Sequence, residues 1–122
     1  GMLQNKVCVV GGIDDEGDVS RRVDIFDPAT ANWTEGPGYP GKGMNGFGVS
    51  AWHIDGKLCV SGSNGVVYCL ANVDEEWKPV AELKQPRFFH RLLPNPSGGL
   101  LAIGGASMIG HLDEIEVVQV SR

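Results

Sequence analysis

The sequence predicts an all-β protein built from repeated four-stranded antiparallel units, and three observations carry that prediction. First, the stretch KVCVVGG at residues 6–12 has near-copies in KLCVSGS at 57–63 and GLLAIGG at 99–105. With their glycines superimposed, Cys8, Cys59 and Leu101 share one column, Val10, Ser61 and Ile103 a second, and Gly11, Gly62 and Gly104 a third, 51 and then 42 residues apart. Second, a tryptophan stands seven residues beyond the end of a later apolar strand in two of the copies, Trp33 after Phe26 and Trp77 after Leu70. Third, 18 glycines and 7 prolines punctuate short β-rich runs, the composition of many short strands joined by turns.

Taken in order, each copy reads as strand, glycine pair, loop, strand, turn, strand. Residues 6–10 form the first strand, 13–19 a polar loop, and 21–26 the next strand. DPATANW then supplies a turn, because Pro28 fixes φ after Asp27 and Asn32 tolerates the left-handed region. In the second copy the loop shortens to SNG, followed by GVVYCL and ANVDEEW; the third offers DEIEVVQV and ends before any tryptophan. One further strand lies between copies, at 46–54 and 88–93, and the first of these turns back through Asp55–Gly56, a strong hairpin signal. Four antiparallel strands per period of about 45–50 residues are the footprint of a propeller blade. With strands lettered a to d and the glycine pair closing b, the chain reads b-c-d, a-b-c-d, a-b-c. Blades are expected at about 5–35, 46–79 and 87–120 of a single partial domain spanning 2–122, with Gly1 read as a residue left by a cleaved tag.

Here the residues carry a family resemblance. VVGGIDDEGDVSRRVDIFDPATANW resembles a kelch repeat: an apolar strand ending in Gly11–Gly12, a strand closing in an aromatic–Asp–Pro turn, then Trp33. ELKQPRFFH is similar to the Pro–Arg segment that leads into the following kelch repeat. The second copy departs from the pattern with Gly62–Ser63 and no Asp–Pro, the first connection has GKGMNG in place of Pro–Arg, and the third copy keeps Gly104–Gly105 without a tryptophan. The resemblance implies kelch-type β-propeller blades in four-stranded antiparallel meanders. It also implies an incomplete ring, since a full propeller of this kind has six or seven blades and about 300 residues. Either the chain is a piece of a longer propeller, or two copies close a six-bladed ring, or three blades stand alone; self-association is the favoured expectation because open blade faces invite it.

Composition removes several classes of function. A formal net charge of −5 argues against nucleic acid or an anionic membrane as partner. No apolar run approaches the roughly 18 residues of a spanning helix and no leader pattern is present, so a cytoplasmic location is expected. Cys8, Cys59 and Cys69 have no CxxC spacing and read as small core residues, neither a disulfide framework nor a metal site. The glycine pairs are not a phosphate cradle, because IDDEGD after Gly12 is acidic and shows no helical period. Their place at the end of strand b suits close backbone approach and positive φ.

Function is expected at the end of the blades that carries the b–c and d–a connections, where the chain spends most of its loop length. Candidate interaction residues there are Asp14, Asp15, Tyr39, Lys42, Asn45, Lys84 and His111. Arg87, His90 and Arg91, at the start of an innermost strand, are candidates for a central channel, whereas Trp33 and Trp77 read as blade core and Trp52 as core or channel. The kelch resemblance implies a non-catalytic protein-interaction module with a protein partner and no cofactor. The alternative within the same resemblance is a sugar-binding or sialic-acid-epimerase-like channel served by Arg87, His90 and Arg91. A galactose-oxidase-type copper site would need tyrosine and histidine ligands, and Tyr39 and Tyr68 show no matching constellation.

Overall fold

A computed structural model describes residues 1–120. The first sheet is a meander of β1 (Met2–Leu3), β2 (Lys6–Val10), β3 (Val23–Asp27) and β4 (Asn32–Glu35). After a 3-10 turn at Gly43–Gly46 comes the second, made of β5 (Ser50–Ile54), β6 (Lys57–Ser61), β7 (Val66–Leu70) and β8 (Lys78–Glu82). The third joins β9 (Arg91–Pro94), β10 (Leu100–Ile103) and β13 (Ile115–Val118), and its b–c connection carries the small ribbon β11 (Ala106–Ser107) with β12 (Gly110–His111). All pairings are antiparallel, and the three sheets form an open arc, not a closed ring.

The first blade differs from the expected b-c-d. β1 supplies its innermost strand, pairing Met2 with Val7 and Leu3 with Lys6. The turn between them has Gln4 and Asn5 both at positive φ, 52° and 62°, the primed geometry that matches strand twist in a two-residue hairpin. Gly1, read from the sequence as a tag remnant outside the fold, extends this ladder: its amino group donates to the Cys8 carbonyl and its own carbonyl accepts from the Cys8 amide. The Asp55–Gly56 hairpin forms as expected, with φ of 51° and 76°.

Strand register assigns every column to a face. Val7, Leu58 and Leu100 pair across strand c with Phe26, Leu70 and Val118, and all six side chains point toward the preceding position in the arc. The neighbouring column, Cys8, Cys59 and Leu101, pairs with Ile25, Cys69 and Val117 and points toward the following one. Two cores result. Leu3, Cys8, Val23 and Ile25 of the first blade meet Leu58, Val60, Leu70 and Trp77 of the second. Cys59, Val67 and Cys69 then meet Leu92, Leu100, Ala102 and Val118 of the third. Burying a side chain of this size contributes about 1.5–3 kcal/mol, so stability resides in the two blade junctions more than in any one sheet.

Two sequence expectations fail in these cores. Cys59 and Cys69, expected as separate apolar fillers, are joined by a disulfide. They are directly opposed residues of β6 and β7 with Cα atoms 4.1 Å apart, the close spacing of an antiparallel pair that leaves side chains adjacent. Cys8 alone stays a buried free thiol, its pKa raised by burial. Trp33, expected in the blade core beside Trp77, is 60% exposed. The reason is positional. Trp77 Nε1–H donates to the Pro37 carbonyl of the connection leaving the first blade; the same column in the first blade has no preceding blade to meet, and the Trp33 ring packs beside Phe26 at 5.0 Å between ring centroids.

The role of the paired glycines is visible where the first connection crosses the blade ends. A Cβ on Gly11, which sits at φ +73°, would lie 2.3 Å from the Gly46 carbonyl oxygen, and one on Gly62 would lie 2.2 Å from that of Asn45. The connection is threaded against the ends of two b strands, and only a residue without a side chain leaves room.

Candidate functional site: the loop end of the blades

In an antiparallel meander the b–c and d–a connections emerge at one end, and here they are residues 11–22, 62–65 and 104–114 together with 36–49 and 83–90. Of the eleven exposed large apolar residues among those described, five stand on these connections: Ile13, Met44, Phe89, Met108 and Ile109. Met108 and Ile109 form the tip of the β11–β12 ribbon and are 87% and 92% exposed. Apolar side chains so fully in water gain nothing from the fold of the isolated chain.

Phe89 stands out on backbone grounds. Trp52 and Leu93 face equivalent residues, Cys59 and Leu101, so Phe89, four residues upstream of Leu93, is the repeat equivalent of Gly48. Both are left-handed, φ +62° at Gly48 and +56° at Phe89. Glycine takes that conformation without strain, whereas a bulky aromatic takes it at a cost of roughly 1–2 kcal/mol. The Phe89 amide is tied to the Gly48 carbonyl at 2.8 Å, and its ring packs edge-on against Phe47 and Phe88 with 58% of the residue still exposed. A strained, exposed aromatic anchored by its surroundings is the kind of outlier found at recognition sites.

The candidate residues divide sharply. Asp14, Asp15, Lys42, Lys84, Arg91 and His111 are exposed on or beside the loop end. The Asp14 carboxylate accepts from the amides of Glu16 and Asp18, folding the acidic loop back on itself. Tyr39 and Asn45, expected to face a partner, are completely buried. Tyr39 donates its hydroxyl to the Val60 carbonyl at 2.9 Å and packs edge-on against Tyr68 and Trp77, and burial raises its pKa far above the usual tyrosine value. The Asn45 amide nitrogen donates to the Pro40 carbonyl while its oxygen accepts from the Asn64 amide. Both are clamps that fasten the first connection to the blade beneath, and its polar sequence concealed that role.

Arg87 and His90, candidates for a channel although packing is the stronger expectation for His90, are also wholly buried. The Arg87 guanidinium donates to the carbonyls of Gln85, Gly104 and Glu114 and pairs with Glu116 at 2.6 Å. Burial pushes the Glu116 carboxyl upward, but amide donors from Lys84 and Gln85 and the Arg87 charge outweigh it and hold the pKa below the ordinary value. Arg87 thus fastens the second connection as Tyr39 fastens the first. His90 Nε2 is in hydrogen-bond contact with the Ser61 hydroxyl, and Nδ1 has no partner. Burial, then the charges of Arg87 and Arg91, lowers its pKa to about 4, so the ring is neutral at pH 7. Trp52 is half-buried against the second junction and stacks on His53. Among the described residues no group of three or more His, Cys, Asp or Glu is arranged to hold a metal ion, and no helix is long and apolar enough to cross a membrane.

Stacked antiparallel meanders of four, four and three strands, with glycines closing the second strand and connections gathered at one end, define an open arc of β-propeller blades. Comparison with known proteins names the type. Residues 1–40 match the family model described as the kelch motif, the segment that holds the first glycine pair and Trp33. No curated protein matches the chain. Among solved structures, one titled "Structure of YjhT" superposes with a TM-score of 0.73 at 18% sequence identity, over 97% of this chain and 43% of that one. The likeness is one of fold, and this chain spans less than half the length of that neighbour. The chain has the fold of an open arc of β-propeller blades, and its residues 1–40 match the kelch motif.

Proposed function

We propose that the chain is a non-catalytic protein-interaction module that engages its partner with the loop end of the blades. The observation that supports this most is the gathering of Ile13, Met44, Phe89, Met108 and Ile109, all exposed, on the b–c and d–a connections. The connection that carries Ile13 also carries the exposed acidic side chains of Asp14, Asp15, Glu16 and Asp18. Exposed apolar side chains and an acidic connection at one end of the blades suit a protein surface carrying apolar anchors and basic residues. The channel reading draws less support, because the Arg87 guanidinium is spent on the connections and His90 is buried with its Nε2 on Ser61.

The test places a photo-crosslinking residue at Ile109 and, separately, at Ala29 on the opposite end, identifies what is captured, and repeats the binding with the purified partner. Capture from Ile109 but not Ala29, with affinity reduced at least tenfold by Met108→Asp together with Ile109→Asp, is the expected result. Equal capture from both ends, or binding indifferent to the double substitution, overturns the reading.

A further inference from the structure

Six exposed large apolar residues among those described lie outside the loop end, and register places them on just two surfaces. Met2, Val9 and Trp33 share the outer face of the first blade, where the half-buried Val7 and Phe26 lie in the same columns. Leu93, Ile115 and Val117 share the outer face of the third blade, with the half-buried Leu101 and Ile103. These are not arbitrary patches. The columns of Val7, Val9, Phe26 and Trp33 are those of Leu58, Val60, Leu70 and Trp77, which the second blade buries against its predecessor. The columns of Leu101, Ile115 and Val117 are those of Cys59, Val67 and Cys69, which the second blade buries against its successor. One end of the arc therefore presents half of a blade junction and the other end presents the complementary half.

We propose that the occupant of both faces is a second copy of this chain, its third blade against the first blade of its partner and the reverse, closing a six-bladed ring about a two-fold axis. The contact repeats, between copies, the junction the chain already makes twice within itself. A single partner satisfies both open faces at once, and closure leaves neither face free to recruit a further copy. The inference uses the blade faces and stands apart from the loop-end reading, so either can fail alone.

Solution mass by sedimentation velocity, over a protein series from about 1 to 100 µM, tests it together with two face substitutions, Trp33→Asp and Val117→Asp. Both positions are exposed, so each variant keeps the circular dichroism of the parent. The expected result is a discrete dimer, a rise of at least tenfold in dissociation constant for each variant, and partial recovery when the two are mixed, since that pair retains one intact junction. A monomer throughout the series overturns the proposal and leaves the faces to blades of another chain or of a longer one. Sensitivity to only one substitution overturns it in favour of like-face pairing, and a ladder of growing oligomers overturns closure.

Discussion

At the scale of single residues, the connections between blades are held by buried polar anchors, and their chemistry makes two predictions. Arg87 satisfies three carbonyls and one carboxylate while fully buried. Truncating one member of such a pair leaves the other charge desolvated, so Arg87→Met should cost about 3–5 kcal/mol in urea unfolding, and Glu116→Gln distinctly less, because Glu116 is less deeply buried and a glutamine oxygen still accepts from the Lys84 and Gln85 amides. A loss under about 1 kcal/mol for Arg87→Met would mean the guanidinium does not fasten the connection. His90 sets a pH dependence. Its folded pKa of about 4 lies below the unfolded value near 6.5. Between those values the unfolded chain binds more protons, so stability present above pH 6.5 is lost as pH falls toward 4, on the order of 2–3 kcal/mol. Denaturant midpoints at pH 7.5, 6 and 4.5 should decline across that window in the parent and decline less in His90→Asn; parallel curves would show that His90 is not the group responsible.

At the scale of elements, the disulfide and the strained turn into the third blade behave differently. Cys59–Cys69 crosses two adjacent strands, its ends separated by 10 positions along the chain. Removing a native disulfide typically costs about 2–5 kcal/mol, and a loop this short puts the loss near the lower bound. Under non-reducing denaturation, thiol titration should count one thiol, Cys8, and after reduction three; three before reduction would dismiss the bond. Disulfides persist where the surroundings are oxidising and are rare where they are reducing, so the same titration on protein kept under each condition reads how far the bond depends on them. At Phe89, substitution by glycine relieves the left-handed strain while giving up ring contacts that are mostly exposed. Phe89→Gly should therefore leave the thermal midpoint unchanged or raised, unlike the roughly 3–5 kcal/mol loss of truncating a core phenylalanine. A large fall would show that its packing outweighs the strain.

Much at this scale was legible in the sequence. The glycine pairs, the Trp33 and Trp77 positions and the Asp55–Gly56 hairpin give the blade repeat and its register, because each is a local backbone requirement written in residue type. β1 was missed because two residues beside Gln4–Asn5 carry no periodicity, and its turn uses residues that tolerate positive φ less visibly than glycine. The disulfide was missed because Cys59 and Cys69 become neighbours only through the register of β6 and β7. Tyr39 and Asn45 were read as exposed because residues in loops usually are, and Arg87 and His90 were offered to a channel, whereas these loops are threaded between blades and must satisfy their own backbone. Phe89 was findable: superposing the repeat puts it in the column of Gly48, a bulky residue where the backbone is left-handed.

For the whole molecule, the arrangement is a short linear array in which each blade is stabilised by its neighbours. In such arrays stability is approximately the sum of unit terms and junction terms, so a unit with two neighbours is better protected than one with a single neighbour. The second blade is flanked on both faces and holds Leu58, Cys59, Val60, Val67 and Leu70 at 0% exposure, while the outer blades leave Trp33 and Val117 60% exposed. Amide hydrogen exchange under native conditions reads this gradient directly. In a dissociated chain, β6 and β7 should exchange slowest, through opening close to global unfolding, and β4 and β13 should exchange through smaller, local openings. Ring closure changes the pattern in a way that protein concentration controls: β2, β3, β10 and β13 gain protection together as copies associate, and the Trp33→Asp and Val117→Asp variants keep the graded pattern at every concentration. Uniform protection across all three blades in a chain shown to be monomeric would mean that the outer sheets do not depend on their junctions, and the nearest-neighbour account of this arc would have to be given up.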